Sequence, residues 1–343
     1  MYYWLRLSSI VITVLIFTAW SNAAEYNFRI LDVDFPSFHD DLFGCVVGGL
    51  NDAGVTVGGC NDRSRNSNFR AFLFDGRKLF DFKLSSTKSF EKRSAGGPIL
   101  TNLVMEQRSV YQSLAFHGGT QQGELRARPN GSQFRNLPNP QEINNFGAVT
   151  GWFFDGTRLQ GFLKRRGADQ TIAFPNSQLT EALGINDREQ IVGDFRDAAG
   201  RFRSFIYHSG NFRAVDVPFA PNEDSGAFGI NNSAKLVGCY AACSRGYLFD
   251  SPSGQFTAID VPGALVTQPS DINDDGKIVG IFFDGQTLRG FLFDGLGFHT
   301  IDVPGAFSTN VTGINNAGQI SGNYLVENAQ GEFDSFAFIG VPR

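Results

Sequence analysis

Bulky apolar residues alternate with small or polar ones along most of the chain, in short runs closed by turns that carry Gly or Asn. One stretch shows the pattern clearly. Lys277-Ile278-Val279-Gly280 is followed by Arg289-Gly290-Phe291-Leu292-Phe293-Asp294-Gly295, then by Phe298-His299-Thr300-Ile301-Asp302-Val303-Pro304. A period of two predicts strands with two different faces. Before them stands Ile272-Asn273-Asp274-Asp275-Gly276, where Asn and Gly predict a tight hairpin with a positive φ at the glycine. Four strand-like pieces, a to d in chain order, thus make one unit, and strand a ends in the form Gly-Ile-Asn.

The unit repeats. Its turn recurs as Ile143-Asn144, Ile185-Asn186, Ile230-Asn231, Ile272-Asn273 and Ile314-Asn315, at intervals of 42, 45, 42 and 42 residues. An earlier copy, Leu50-Asn51-Asp52-Ala53-Gly54, precedes Asn144 by 93 residues, which leaves room for one further unit. That unit, about 85–133, is degenerate; Ser113-Leu114-Ala115-Phe116-His117-Gly118 is its one piece that resembles a repeat strand. With it included, c-type pieces fall near residues 71, 115, 162, 205, 247, 291 and 336, and d-type pieces near 30, 81, 136, 172, 214, 258 and 300. Four short strands in about 42 residues is the size of a propeller blade. The expected fold is therefore all-β, a seven-bladed β-propeller of four-stranded repeats. The phase predicts closure: Phe28-Arg29-Ile30-Leu31-Asp32-Val33 reads as a lone d strand, and the last repeat, ending near Ser335-Phe336-Ala337-Phe338, lacks one. Pairing the N-terminal strand with the C-terminal blade removes an exposed sheet edge.

Composition adds to this picture. The 35 Phe and 40 Gly suit strands and tight turns. The formal net charge is −5, without a basic run, which argues against a nucleic-acid partner, since phosphate binding needs clustered Lys or Arg. Arg6, the apolar run Leu7 to Ala19 and the small residues of Ser21-Asn22-Ala23 predict a signal peptide over 1–23. The remainder, 24–343, is then one propeller domain, secreted or periplasmic, monomeric and without a membrane span. Four cysteines in an exported chain predict disulfides. Cys45 and Cys60 lie equidistant from the turn at Asp52-Ala53, which places them face to face across an a–b hairpin. Cys239 and Cys243 flank a b–c turn and predict a local staple.

The c strands Arg70-Ala71-Phe72-Leu73-Phe74, Gln160-Gly161-Phe162-Leu163 and Arg289-Gly290-Phe291-Leu292-Phe293 resemble the His-Ala-Phe core of the bacterial extracellular HAF-repeat family, with Arg or Gln in place of the His. The Gly-Ile-Asn-x-x-Gly-x-Ile-Val-Gly segments are similar to that family's other motif. The resemblance runs from about 28 to 340 and is weak across 85–133. It implies an exported, propeller-like protein, and it carries no established activity and no functional residues.

Most motifs with a chemical flavour read as structure. Asp271-Ile272-Asn273-Asp274-Asp275-Gly276 begins like a calcium loop, but Phe282 stands where the chelating Glu belongs, so the segment reads as a repeat turn. The recurrent Asp-Val-Pro at Asp216, Asp260 and Asp302 is periodic, as expected of a residue that shapes a turn rather than one that catalyses. His39, His117, His208 and His299 match no metal spacing. No motif demands a metal or cofactor. The b–c loops are the least bland feature: Asp155 and Arg158, Arg196 and Asp197, Asp284 and Arg289, with Trp152 and Tyr240 nearby. Aromatic, carboxylate and guanidinium groups together suit recognition of a sugar or peptide. The functional expectation is an exported binding or scaffold protein recognising a glycan, peptide or protein through loops on one face. The alternative is a propeller-fold glycan hydrolase or lyase, with Glu106, Arg108, Tyr111 and His117 of the degenerate unit as its candidate region.

Overall fold

The computed structural model describes residues 26–31, 42–62, 69–84, 138–331 and 333–343. They form six four-stranded antiparallel sheets. Blade 1 holds β2 (Leu42–Leu50), β3 (Thr56–Asp62), β4 (Phe69–Phe74) and β5 (Leu79–Asp81). Blade 2 holds β6 (Asn139–Ile143), β7 (Val149–Phe154), β8 (Leu159–Arg165) and β9 (Ala168–Ile172). Blade 3 comprises β10 (Thr180–Ile185), β11 (Ile191–Arg196), β12 (Phe202–His208) and β13 (Asn211–Val215). Blade 4 comprises β14 (Gly226–Ile230), β15 (Lys235–Tyr240), β16 (Arg245–Asp250) and β17 (Gln255–Ile259). Blade 5 is β18 (Val266–Ile272), β19 (Ile278–Phe283), β20 (Leu288–Phe293) and β21 (Phe298–Ile301). In blade 6, β22 (Ser308–Ile314), β23 (Ile320–Glu327) and β24 (Phe333–Pro342) are completed by β1 (Tyr26–Ile30), which pairs Phe28 with Gly340. The predicted closure by the N-terminal strand is thus present.

The blade number differs from the sequence expectation: the ring closes with six blades, not seven. The c-type piece near 115 and the d-type piece near 136, like the whole of 85–133, lie outside the described residues. Blades 1 and 2, which flank that segment, pack directly on each other through β2, β3 and β6. The Asn51 side chain reaches the Asn144 carbonyl at 3.2 Å, so no blade fits between them. The expectation failed because one apolar patch was counted as a blade although it lacked the Gly-Ile-Asn turn that joins a blade to its neighbours. The signal segment, His39 and His117 also lie outside the described residues.

The repeat sequence explains the packing. Each c strand buries one aromatic almost completely: Phe72, Phe162, Phe205, Tyr247, Phe291 and Phe338 are all at most 1% exposed. Opposite each sits a b-strand glycine, Gly58, Gly151, Gly193, Gly238, Gly280 and Gly322. A Cβ on Gly280 would overlap the Gln268 carbonyl oxygen and stand 2.9 Å from the Phe291 ring, closer than real Cβ contacts come, so the Ile-Val-Gly motif keeps its glycine chiefly for the a-strand backbone and then for the ring beside it. A register shift interrupts every a–b pairing just before the Gly-Ile-Asn position, as between Pro140 and Glu142 and between Pro269 and Asp271. Such bulges re-aim a side chain, and here they act on the strand that borders the channel. Both predicted disulfides are present, Cys45 to Cys60 and Cys239 to Cys243. The second closes a turn in which Ala241, Ala242 and Cys243 all adopt positive φ.

Candidate functional site

The repeated Asn is the unit from which the central channel is built. Asn231 caps its own turn, its Oδ1 accepting the Ser233 and Lys235 N–H groups at 3.0 Å each. Its Nδ2 donates to the Asn273 carbonyl of the next blade at 3.0 Å. The same inter-blade bond runs from Asn51 to Asn144, Asn144 to Asn186, Asn186 to Asn231, Asn273 to Asn315, and Asn315 back to Asn51. Six buried amides therefore close a circle.

Outside it lies a second circle, in which Asp and Asn alternate: Asp52, Asn145, Asp187, Asn232, Asp274 and Asn316. Each Asn amide donates to the carboxylates on both sides, at 2.8–3.0 Å. Each side chain also accepts the backbone N–H of a neighbouring turn, as Asn232 does from Asp187 at 2.9 Å. Alternation is what the chemistry requires, because two adjacent carboxylates would lack the intervening donors.

These circles surround a cavity of about 60 Å³ at the a–b end of the channel. Five carboxyls line it: Asp52, Asp187 and Asp274 from the turns, and two from the strands, Glu142 of blade 2 and Asp271 of blade 5, three blades apart and so on opposite sides of the ring. The other four blades carry glycine at this position: Gly49, Gly184, Gly229 and Gly313. Glu142 is 8% exposed and Asp271 7%. Glu142 Oε1 accepts the Ile143 N–H at 2.9 Å. Asp271 accepts the Ile272 N–H at 2.7 Å and the Ile314 N–H of the adjacent blade at 2.8 Å. Burial pushes the Glu142 carboxyl well above the usual range, and the charge of Asp271 adds to the shift. Burial also raises Asp271, against the two N–H groups that favour its ionised form. Among the described residues no Lys, Arg or His lines the cavity.

A carboxyl raised in the folded state holds its proton more tightly there than in the unfolded chain. Its contribution to stability is complete below the unfolded value, near 4, and is lost as pH rises through the folded value. Asp271 is pushed up to about 7. In chelator-treated protein, the melting temperature should therefore fall from pH 4 towards 7 through this pair. Glu142→Gln with Asp271→Asn should flatten that slope, which thermal unfolding across a pH series would reveal.

Sequence reasoning missed this pair. The signal was in the repeat, where Gly-Ile-Asn becomes Glu142-Ile143-Asn144 and Asp271-Ile272-Asn273. The a–b turn at Asn273–Gly276 is as predicted, its Gly276 N–H bonded to the Asn273 carbonyl at 3.0 Å. Asp271, the first residue of the rejected calcium motif, lies outside that turn.

The loop residues singled out from sequence occupy the opposite, b–c end. Asp155 accepts the Thr157 and Arg158 N–H groups at 2.8 and 2.9 Å, and the Arg158 guanidinium lies 3.8 Å away. Asp197 does the same for Ala199 and Arg201, both at 2.9 Å. Arg196 donates to the Gly200 carbonyl and lies over the Phe202 ring. Asp284 caps its turn and receives Arg289 Nε at 2.8 Å. Trp152 packs half-buried beside Leu159, Leu179 and Phe202. Tyr240 stands against Phe219, ring centres 5.3 Å apart. The structure thus joins the charged residues within their own hairpins, and packs Trp152 and Tyr240 also on residues outside theirs.

The Asp residues of the Asp-Val-Pro repeat meet guanidinium groups. Asp216, Asp260 and Asp302 pair with Arg203, Arg245 and Arg289 at the start of the adjoining c strands. Among the histidines, His299 bonds Asp294 at 2.8 Å and His208 ends β12 exposed.

No family profile and no curated protein matches the chain. Solved structures similar to it are distant. A lectin from Aleuria aurantia, determined with Fucα1-6GlcNAc, shares 13% identity at a TM-score of 0.46, over 88% of this chain and 97% of the lectin. A protein of unknown function from Dyadobacter fermentans shares 8% at a TM-score of 0.46, over 92% and 99%. A streptogramin B lyase shares 10% at 0.44, over 91% and 87%.

Proposed function

We propose that the protein is an exported propeller that binds a glycan or protein partner through its b–c end. One observation carries this reading: exposed apolar groups stand beside paired charges in successive blades there. Phe219, 46% exposed, lies on Tyr240 near the Arg245–Asp260 pair. Leu265, 63% exposed, borders the Gly285 turn that holds Asp284 and Arg289. An aromatic face flanked by carboxylate and guanidinium groups is the surface a sugar or peptide requires. The channel cavity of about 60 Å³ is smaller than the roughly 300–1,000 Å³ of small-molecule sites, so the reading rests on the open loop face. The residues offered for an enzymatic alternative, Glu106, Arg108, Tyr111 and His117, lie outside the described residues.

The test is binding of the purified protein to a panel of glycans, alongside capture from exported proteins. Replacing Asp155, Arg158, Asp284 and Arg289 together by Ala should abolish the interaction. Each exposed ion pair contributes only ~0–1 kcal/mol, so the variant should still melt cooperatively. Undiminished binding by the folded variant would refute the loop-face reading.

A further inference from the structure

We propose that the a–b end of the central channel is a cation site, with the carboxylates of Glu142 and Asp271 as its inner ligands. Both side chains line one cavity from opposite blades, and both are more than nine-tenths buried. Asp271 has an N–H donor for each oxygen, whereas Glu142 uses only Oε1; among the described residues no hydrogen bond reaches its Oε2. Glu142 Oε2 is thus open to the cavity with no protein donor, and a second carboxyl shares the same small space; two like charges held there are costly unless a proton or a cation meets them.

The surroundings offer negative charge and nothing to balance it. Asp52, Asp187 and Asp274 ring the mouth, and no cationic side chain among the described residues lines the cavity. The Asn amides of the outer circle orient those carboxylates without neutralising them. An all-oxygen donor set selects a hard ion such as calcium or magnesium over zinc or copper. Among the described residues no group of three or more His, Cys, Asp or Glu is placed to hold a metal ion, so Glu142 and Asp271 are the whole acidic ligand set and the ion keeps most of its water shell. A cavity of about 60 Å³ has room for that, since one water needs only about 10–15 Å³.

The repeat itself shows that these carboxyls are additions to the fold. Four of six blades meet the channel with glycine, and the Glu142 carboxylate lies where a Cβ on Gly49 would be. A carboxylate in one blade therefore requires glycine in the blade before it. Gly49 precedes Glu142 and Gly229 precedes Asp271 in this way.

The experiment treats the purified protein with chelator, then measures thermal unfolding and isothermal titration at pH 7.5 with calcium, magnesium or potassium chloride at equal ionic strength. Calcium or magnesium should bind saturably at one site and raise the melting temperature with concentration, and potassium should not. Glu142→Gln with Asp271→Asn should abolish both effects. If that variant fails to fold, Glu142→Gly with Asp271→Gly restores the residue the other blades use and should lose binding just as fully. Two results would overturn the site: no divalent effect on the parent protein, or an effect that survives loss of the inner pair and disappears instead with Asp52→Asn, Asp187→Asn and Asp274→Asn.

Discussion

Asn231→Ala should lower stability by about 4 kcal/mol, whereas Asn232→Ala, one residue on, should lower it by about 1 kcal/mol. Asn231 is 4% exposed and makes three hydrogen bonds, two that cap its turn and one to the Asn273 carbonyl of the next blade. Removing its amide leaves two N–H groups and one carbonyl without that partner, at about 1–3 kcal/mol for each that water cannot reach. Asn232 is half-buried at the channel mouth, where its side chain bonds the Asp187 N–H and the Asp187 and Asp274 carboxylates and water can reach the groups left behind. Denaturant unfolding of the two variants reads the difference directly. Equal effects would mean that the inner circle does not hold the blades together.

Gly229→Ala should cost about 3 kcal/mol, at the upper end of what an added methyl group costs in a packed interior. The new Cβ would stand 2.6 Å from Asp271 Cα, a backbone atom that moves only if blade 5 moves. Gly276→Ala is the contrast. Gly276 has φ of +80° and nothing within 4 Å of its would-be Cβ, so its cost is the left-handed conformation alone, ~1 kcal/mol. Both glycines belong to the repeat, but the first is required by the neighbouring blade and the second by its own turn. Melting curves showing the Gly276 variant to be the less stable would reverse that assignment.

Much of the fold was legible in the sequence because its rules are local. The Asn-x-x-Gly turn, the b-strand glycine and the c-strand aromatic each act within one blade, so a 42-residue period displays them. Cys45 and Cys60 could be paired because hairpin geometry depends only on distance from the turn. The closing role of β1 followed from the phase of the repeat.

The channel pair was hidden for a physical reason. Glu142 and Asp271 are ordinary residues on short strands until the blades are counted. With a seventh blade between the first two Asn turns they would not lie opposite each other; with six they do. The glycine they replace is also silent in sequence, since its reason lies in the following blade. The b–c loop residues were conspicuous for the opposite cause. Asp155, Asp197 and Asp284 recur because each caps its own hairpin, and a turn cap and a binding carboxylate look alike in a string of letters.

The central claim is that six blades close the ring without residues 85–137. The most direct test replaces that segment by a short Gly/Ser linker and follows thermal unfolding and the Cys45–Cys60 bond. The account predicts one cooperative transition, with a melting temperature close to that of the full chain and the disulfide intact. A chain that no longer folds, or that melts in separate steps, would contradict it and return a seventh blade to the ring.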